Sequence, residues 1–553
     1  MSTQFSVPLC NGIDLAYCPG SMGVIQRLLS LTSRNNLLGL LLALALYYLG
    51  SPLKNKESAQ LLTRIPGPWY APFTGLHLRW MFGTGTIWKY ASDQHRCHGD
   101  IIRLGPRQLW VSDKAAMKDI LQKTDLPKVT MYAEISRDRR SPGLFGEIRP
   151  EPHKNLKRFL GPAFTVSSVD TLDLFFKDCV QKLLRNYYAI VDSESTPKAA
   201  FETDLMRDLH CLALDIMGES AFGKRFGQVD QVFDATKIRT QREKEWFKIP
   251  DAISSGLAKR YKSVFVKRFF RRLGLDIEFD WPKEMTRAIS TLIDERRTNE
   301  NRDPNARRDV LQHMLEEGTR PDTGIRISNQ DIIDQMSELL PAGSETTSGT
   351  IGFLFLELAR NPDVRAKLLA SLPVLSASDP ILDSKTVRKQ PTYRYLEACI
   401  KENLRMHPVA SEMGRRTIKE SLQVQGYIIP PHKVVSASYR MLHLDERYWP
   451  EPESFWQERW LQRDEREGAP EPDMDAYYPF SAGKHSCIGV NFAMAEIRTA
   501  SANILSRFDV QEPYYQEIDV CQFITMQFGD GSWKASSERN VPYTFTDFLG
   551  LNL

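Results

Sequence analysis

Apolar residues recur at spacings of three and four over residues 167–191 and 203–222, the period of helices with one buried face. From Trp246 to Leu275 the same period is mixed with Lys259, Arg260, Lys262, Lys267, Arg268, Arg271 and Arg272. Such a basic amphipathic stretch either rests on a membrane surface or forms a solvated helix face. Strand patterns are few: 101–104 with 109–111, and 422–429. The pattern predicts a mainly α chain with small β-sheets.

The longest helical pattern starts at Ser328-Asn-Gln-Asp331, a capping signal, and runs to Arg360, where Asn361-Pro362 stops it. At 1.5 Å per residue this helix is about 48 Å long, enough to cross a whole domain. Its middle reads Pro341-Ala342-Gly343-Ser344-Glu345-Thr346-Thr347. Pro341 removes a helix hydrogen bond, Gly343 lowers helix propensity, and Thr346 can bond back to a carbonyl one turn earlier. Two readings fit: a proline kink with satisfied polar groups, or a groove for a small ligand in which Glu345 and Thr346 relay protons.

The N-terminus breaks the pattern. Leu37 to Leu49 carries no charge, although it is shorter than the roughly 20 residues of a full span. The softer stretch from Val24 lengthens it but contains Arg27 and Arg34. A cleaved signal peptide also has a short apolar core, but this run starts late and no small-residue cleavage site follows at once. A retained anchor is therefore expected in residues 1–63. Arg64-Ile-Pro-Gly-Pro-Trp69 then makes a stiff extended exit. Residues 64–553 contain no Pro-, Gly- or Ser-rich linker and no repeat, so one large domain is expected there. A net charge of +3 gives no reason to expect nucleic acid as a partner. Hydrophobic content of 42% with 25% charged residues is globular. The eight cysteines are scattered without a CxxC pair, which argues against a disulfide framework.

One of them has a distinctive setting. Phe480-Ser-Ala-Gly483-Lys-His485-Ser-Cys487-Ile-Gly489 precedes a helical pattern from Val490 to about Arg507. Amide donors and the positive dipole end of a helix favour a thiolate there, and a thiolate is a good iron ligand. Gly483 permits a bulge under a flat cofactor, and Gly489 permits close backbone approach.

FSAGKHSCIG resembles the haem-binding signature of the cytochrome P450 family, F-x-x-G-x-R-x-C-x-G. PAGSETT is similar to that family's oxygen-groove motif, which includes Ala342 and Gly343. Glu402-Asn-Leu-Arg405 resembles its E-x-x-R motif, and Phe455-Trp-Gln-Glu458-Arg459-Trp460 its F-x-P-E-R segment. Four motifs in the right order are specific, and the likeness covers about residues 64–550. The resemblance implies haem b buried between two long helices, with Cys487 as the iron ligand and Phe480 packed beside it. It implies a buried ion-pair cluster of Glu402, Arg405 and Arg459, and an acid–alcohol pair, Glu345 and Thr346, that supplies protons during oxygen activation. His485 stands where an arginine usually meets a haem propionate. His153 and Lys157 fall where the family has W-x-x-x-R, and Arg416, or its neighbour Arg415, where a further propionate arginine is expected. Gln457 replaces a proline.

The implied activity is monooxygenation. One oxygen atom of O2 enters a lipophilic small molecule, in the style of fungal enzymes acting on terpenoid, polyketide or alkaloid secondary metabolites. Electrons come from NADPH through a partner flavoprotein, an NADPH-cytochrome reductase, since no GxGxxG or P-loop pattern in a strand–helix context gives the chain a reductase of its own. Such a partner is expected to dock on the Cys487 side. The implied location is the endoplasmic reticulum membrane, single-pass, with the catalytic domain facing the cytosol. Two rival readings remain: a haem-thiolate isomerase or dehydratase, which would not need Glu345 and Thr346, and a haem sensor without turnover. Expected pocket segments are Met131–Phe145, Trp246–Leu275, Val409–Met413 and Phe523–Phe528.

Overall fold

A computed structural model describes residues 62–193, 200–233, 240–299, 309–410, 412–416, 420–529 and 531–540. The expected anchor at 37–49 lies outside the described residues. No helix among the described residues is long and apolar enough to cross a membrane.

Helices dominate. The 167–191 pattern is one helix, Val166–Ser193. The 203–222 pattern divides. Phe201–Asp204 is a strand paired with Lys534–Arg539, Leu205–Met217 is helical, and a wider turn, Gly218–Phe222, follows. The distant C-terminal strand supplies hydrogen bonds that local periodicity does not register. Residues 422–429 form a hairpin, Leu422–Val424 with Tyr427–Ile429. Its two turn residues, Gln425 and Gly426, both have positive φ, which matches the turn to the twist of its strands. Ile101–Gly105 and Gln108–Val111 open a four-stranded sheet completed by Val434–Ser438 and Glu412–Arg416.

The stretch 246–275 is not one basic face. It is divided among three helices, Gln241–Phe247, Ile249–Lys262 and Val264–Arg272. Arg260 is fully buried over Trp281 and donates to the Phe279 carbonyl. Lys267, Arg268 and Arg271 turn towards Glu134, with Arg271 donating to both carboxylate oxygens. Val266, Phe269 and Leu273 are exposed instead. Burying cations against one carboxylate and backbone carbonyls leaves the apolar side of the last helix outward.

The 32-residue helix Asn329–Arg360 runs through Pro341 without stopping. Ser328 and Asp331 form a reciprocal capping box at its start. Its first half holds the chain that crosses it. Glu338 accepts from the Ser136 hydroxyl (2.7 Å) and from the amides of Gly143 and Gly146. Gln335 accepts from the Leu144 amide, and Asp334 pairs with Arg137. The carbonyls of Leu144 and Phe145 take the buried Lys128 ammonium from the other side. Opposite charges thus clamp the turn 143–146 within the 131–145 segment expected to border a pocket.

Glu402 and Arg405 lie three apart on Arg394–Met406, both fully buried. Arg405 grips the carboxylate through Nε and Nη2 at 3.0 and 2.8 Å. Trp460 Nε1 and the Trp456 amide donate to it as well, and Arg459 stands 3.4 Å away. Gln457, where the family has proline, is buried and donates to Tyr395 and Glu458.

Candidate active site

The cysteine loop is built by its backbone. The Cys487 amide donates to the Phe480 carbonyl at 2.9 Å and the Ser486 amide to the Gly483 carbonyl, closing a turn before the helix Val490–Leu505. Gly483 has φ +70, and a Cβ there would stand 2.0 Å from the Leu121 carbonyl oxygen, so any side chain collides with backbone. A Cβ on Gly489 would lie 3.9 Å from the Cys487 sulfur. Phe480 packs against the main core. The Cys487 side chain carries free surface although burial is the largest influence on its acidity, so it borders internal space. Burial raises the thiol pKa; the Gly489 amide and Lys157 lower it and do not prevail. The helix end alone therefore does not make a thiolate, and a bound metal cation would supply the missing stabilisation.

Beside the loop lies a buried group of cations. Lys157 donates to the carbonyls of Lys484 and Ser486 and to the Ser486 hydroxyl, so it braces the loop itself. The rings of His153 and His485 lie 4.3 Å apart. Neither ring nitrogen of His485 has a hydrogen-bond partner; Asp125 approaches Nε2 at 3.4 Å without the alignment of a bond. Arg415 is buried, with Nη2 unpartnered. Arg416, next on the strand, turns away and donates to the Lys128 carbonyl. Burial, reinforced by the surrounding cations, pushes His153 down to about 2 and His485 down to about 3. Burial pushes Lys128 down to about 7, with Arg415 and Lys157 adding to it while Glu338 and Glu147 oppose.

On the long helix, Ala342 is exposed between the buried Leu340 and Ser344, so that turn also borders open space. A Cβ on Gly343 would meet the Met217 sulfur at 2.4 Å. Thr346 bonds back to the Ala342 carbonyl at 2.7 Å, and Ser344, Ser348 and Thr350 make the same backward bond. The hydroxyls are occupied one turn back, which lets them sit in a largely buried helix. Glu345 accepts from the Gln527 amide at 3.0 Å, and burial raises its pKa.

The structure thus gathers Phe480, Gly483, His485, Cys487, Gly489, His153 and Lys157 at the loop. It sets Ala342, Gly343, Glu345 and Thr346 on the helix that packs directly against Val490–Leu505. Arg416 is not brought in; Arg415 is. Sequence reasoning missed Lys128, and it placed Gln527 only within the expected pocket segment Phe523–Phe528, without its bond to Glu345. Lys128 had a signal, a lone cation between Leu126 and Val129. The bond of Gln527 to Glu345 had none.

These residues fit a haem. Among the described residues no three of His, Cys, Asp and Glu could themselves hold a metal ion, so iron on Cys487 needs a ligand set of its own. Unpartnered donors on His485 and Arg415, within a buried cationic group, suit two propionates. Gly489 leaves the loop bare of a side chain beside the Cys487 sulfur, and Gly483 lets the loop close against the Leu121 backbone.

The family model described as "Cytochrome P450" matches residues 65–526. The cytochrome P450 monooxygenase FUS8 of Gibberella moniliformis is 26% identical over 86% of this chain and 88% of its own. The cytochrome P450 monooxygenase acrD of Aspergillus aculeatus is 27% identical over 81% and 85%. The cytochrome P450DA heme domain superposes with a TM-score of 0.67 at 22% identity, over 86% of this chain and 98% of that one, a likeness of fold.

Proposed function

The chain belongs to the cytochrome P450 family and is a haem-thiolate monooxygenase, and from that premise we propose that it oxygenates a lipophilic intermediate of fungal secondary metabolism, of the terpenoid, polyketide or alkaloid type. Electrons reach it from NADPH through a separate flavoprotein reductase. Cys487 would hold the iron of haem b, and His485, Arg415, His153 and Lys128 would meet its propionates. Haem supplies the iron at which dioxygen is bound and reduced. The chain's part is to keep that site dry and to deliver protons to it. Phe145, in the turn held by Glu338 and Lys128, sets its ring against Tyr132, and this apolar border favours a lipophilic substrate.

The observation that carries monooxygenation is the pair Glu345–Thr346 at the proline turn. Burial raises the pKa of the Glu345 carboxyl, which favours its protonated form, and the Thr346 hydroxyl one residue on can take a proton from it through a water. An isomerase or dehydratase has no use for that pair. The test is the ratio of product to NADPH consumed with reconstituted reductase. Thr346→Ala and Glu345→Gln are expected to keep substrate binding and NADPH consumption while electrons go to peroxide. General acid–base contributions of about 10²–10⁴-fold set the upper size of the loss. An unchanged ratio in both variants would favour the rearrangement reading.

Residues 1–63 are proposed as a membrane anchor and hinge at the endoplasmic reticulum, with the catalytic domain 64–553 on the cytosolic side. The surface just beyond the hinge supports this placement. Trp69, Phe73, Leu76 and Trp80 are exposed, and Tyr261, three residues before the helix that exposes Val266 and Phe269, donates to the Phe82 carbonyl. Tryptophans at such a surface suit a membrane interface.

A further inference from the structure

Glu345 has one hydrogen-bond partner for its carboxyl among the described residues, and that partner comes from the far end of the chain. Gln527 Nε2 donates to Glu345 Oε2 at 3.0 Å and also reaches the Thr525 hydroxyl at 3.3 Å. Gln527 is the middle residue of the strand Met526–Phe528, which pairs with Val520–Gln522.

This short hairpin is fixed where it crosses the long helix. The Met526 amide donates to the Val409 carbonyl at 2.7 Å. Phe528 stacks on Phe353, two turns beyond Glu345, with ring centroids 4.7 Å apart. Phe353 in turn stacks on His407, whose Nε2 meets Glu357 at 2.7 Å. A Cβ on Gly352 would strike both Met206 and Phe528, so the helix is bare where the hairpin seats. Gln527 is thus held by its neighbours on both sides, and its amide reaches Glu345 from a rigid base.

We propose that Gln527 is a positioning residue for oxygen activation, whose side-chain amide orients the Glu345 carboxyl and tunes it for proton transfer to Thr346. The inference rests on the reading of Glu345 and Thr346 as a proton relay. Burial raises the pKa of this carboxyl and the Gln527 amide lowers it. No charged group on the long helix, on the hairpin or on any other described element contributes. A general acid works best with a pKa near the working pH. Burial alone makes the acid hold its proton more tightly. A neutral donor corrects this without adding a charge that would compete for the propionates or bring water in.

The experiment uses the full-length holoenzyme and follows the infrared carboxyl stretch as pH is varied. Glu345→Gln identifies the band by removing it. Gln527→Met keeps the length of the side chain and deletes the donor. The Glu345 titration is expected to move upward by about one to two pH units, the effect of losing a hydrogen bond to a charged group. The pH profile of product per NADPH should move in the same direction, while the carbon monoxide difference spectrum and melting temperature stay close to those of the parent. Gln527→Ala gives the same readout if the methionine variant does not fold. A merely structural role would lower the melting temperature and leave the carboxyl titration in place, which would overturn the inference. If Glu345→Gln leaves product per NADPH unchanged, the relay reading itself falls and takes this inference with it. If Glu345→Gln uncouples while Gln527→Met titrates like the parent, the relay stands and only the role of Gln527 falls.

Discussion

Glu402→Gln should cost the haem domain about 3–5 kcal/mol. The carboxylate is fully buried and accepts from Arg405 twice, from Trp460 Nε1 and from the Trp456 amide, with Arg459 at 3.4 Å. Replacing one oxygen by an amide nitrogen sets a donor against donors and leaves two guanidiniums without their counter-charge. Arg405 keeps carbonyl acceptors at His443 and Ser454, which return hydrogen bonds but no charge. Removing one partner of a buried pair costs about 3–5 kcal/mol because a buried charge stays behind. With an unfolding entropy of about 2.1 cal/mol/K per residue, a domain of this size loses about 1 °C per kcal/mol, so melting should fall by about 3–5 °C. The exposed pair Lys367–Glu467 is the control, and breaking it should cost less than about 1 kcal/mol. Adding Arg405→Met to Glu402→Gln should recover part of the loss, since one stranded charge goes with it. Thermal unfolding of holoenzyme, followed by the Soret band and by far-ultraviolet circular dichroism, reads all of these. A Glu402→Gln protein that melts within 1 °C of the parent would show that no charge is stranded at this cluster.

Other parts of the molecule are open to the same kind of test. Arg415→Leu should speed haem loss to an acceptor protein by tenfold or more, while Arg416→Leu should change it little, because only Arg415 carries an unpartnered buried donor (order of magnitude from the loss of a charge-assisted bond of about 1.5–3 kcal/mol). Gly483→Ala should lower the yield of haem-loaded protein, since the new Cβ meets the Leu121 carbonyl; the ratio of Soret to protein absorbance checks it. Asp208, which accepts from Tyr187 at 2.9 Å, is pushed up to about 6 by burial. A carboxyl whose folded pKa lies above its unfolded value contributes stability below the unfolded value and loses it as pH rises through about 6. Asp208→Asn should therefore raise the melting temperature by about 2–3 °C at pH 7.5 and give no gain near pH 4. A chain starting near Lys54 should keep its haem and bind vesicles more weakly, and replacing Trp69, Trp80 and Phe269 by serine should remove the remaining binding in a flotation assay.

The long helix was legible because cap, period and stop all agreed, from Ser328 through Arg360 to Pro362. The cysteine loop was legible because glycine at positive φ and a thiol before a helix form a local signal. What escaped was set by partners distant in sequence. Arg415 and Arg416 lie on a strand, where adjacent side chains take opposite faces, and the two identical residues gave no means of choosing which faces inward. The basic stretch around Arg260–Arg272 looked like one surface because Glu134, Phe279 and Trp281 were not part of its local pattern. Gln527 lies 182 residues from Glu345, on a strand too short for its pattern to stand out.

Ligation of the haem iron by Cys487 is tested by the carbon monoxide difference spectrum of the reduced protein after Cys487→Ala, beside Cys399→Ala and Cys521→Ala. Only the Cys487 variant is expected to lose the red-shifted band that marks thiolate ligation of the iron. Persistence of that band without Cys487, or its loss with Cys399 or Cys521 in a protein that still folds and holds haem, would contradict ligation by Cys487.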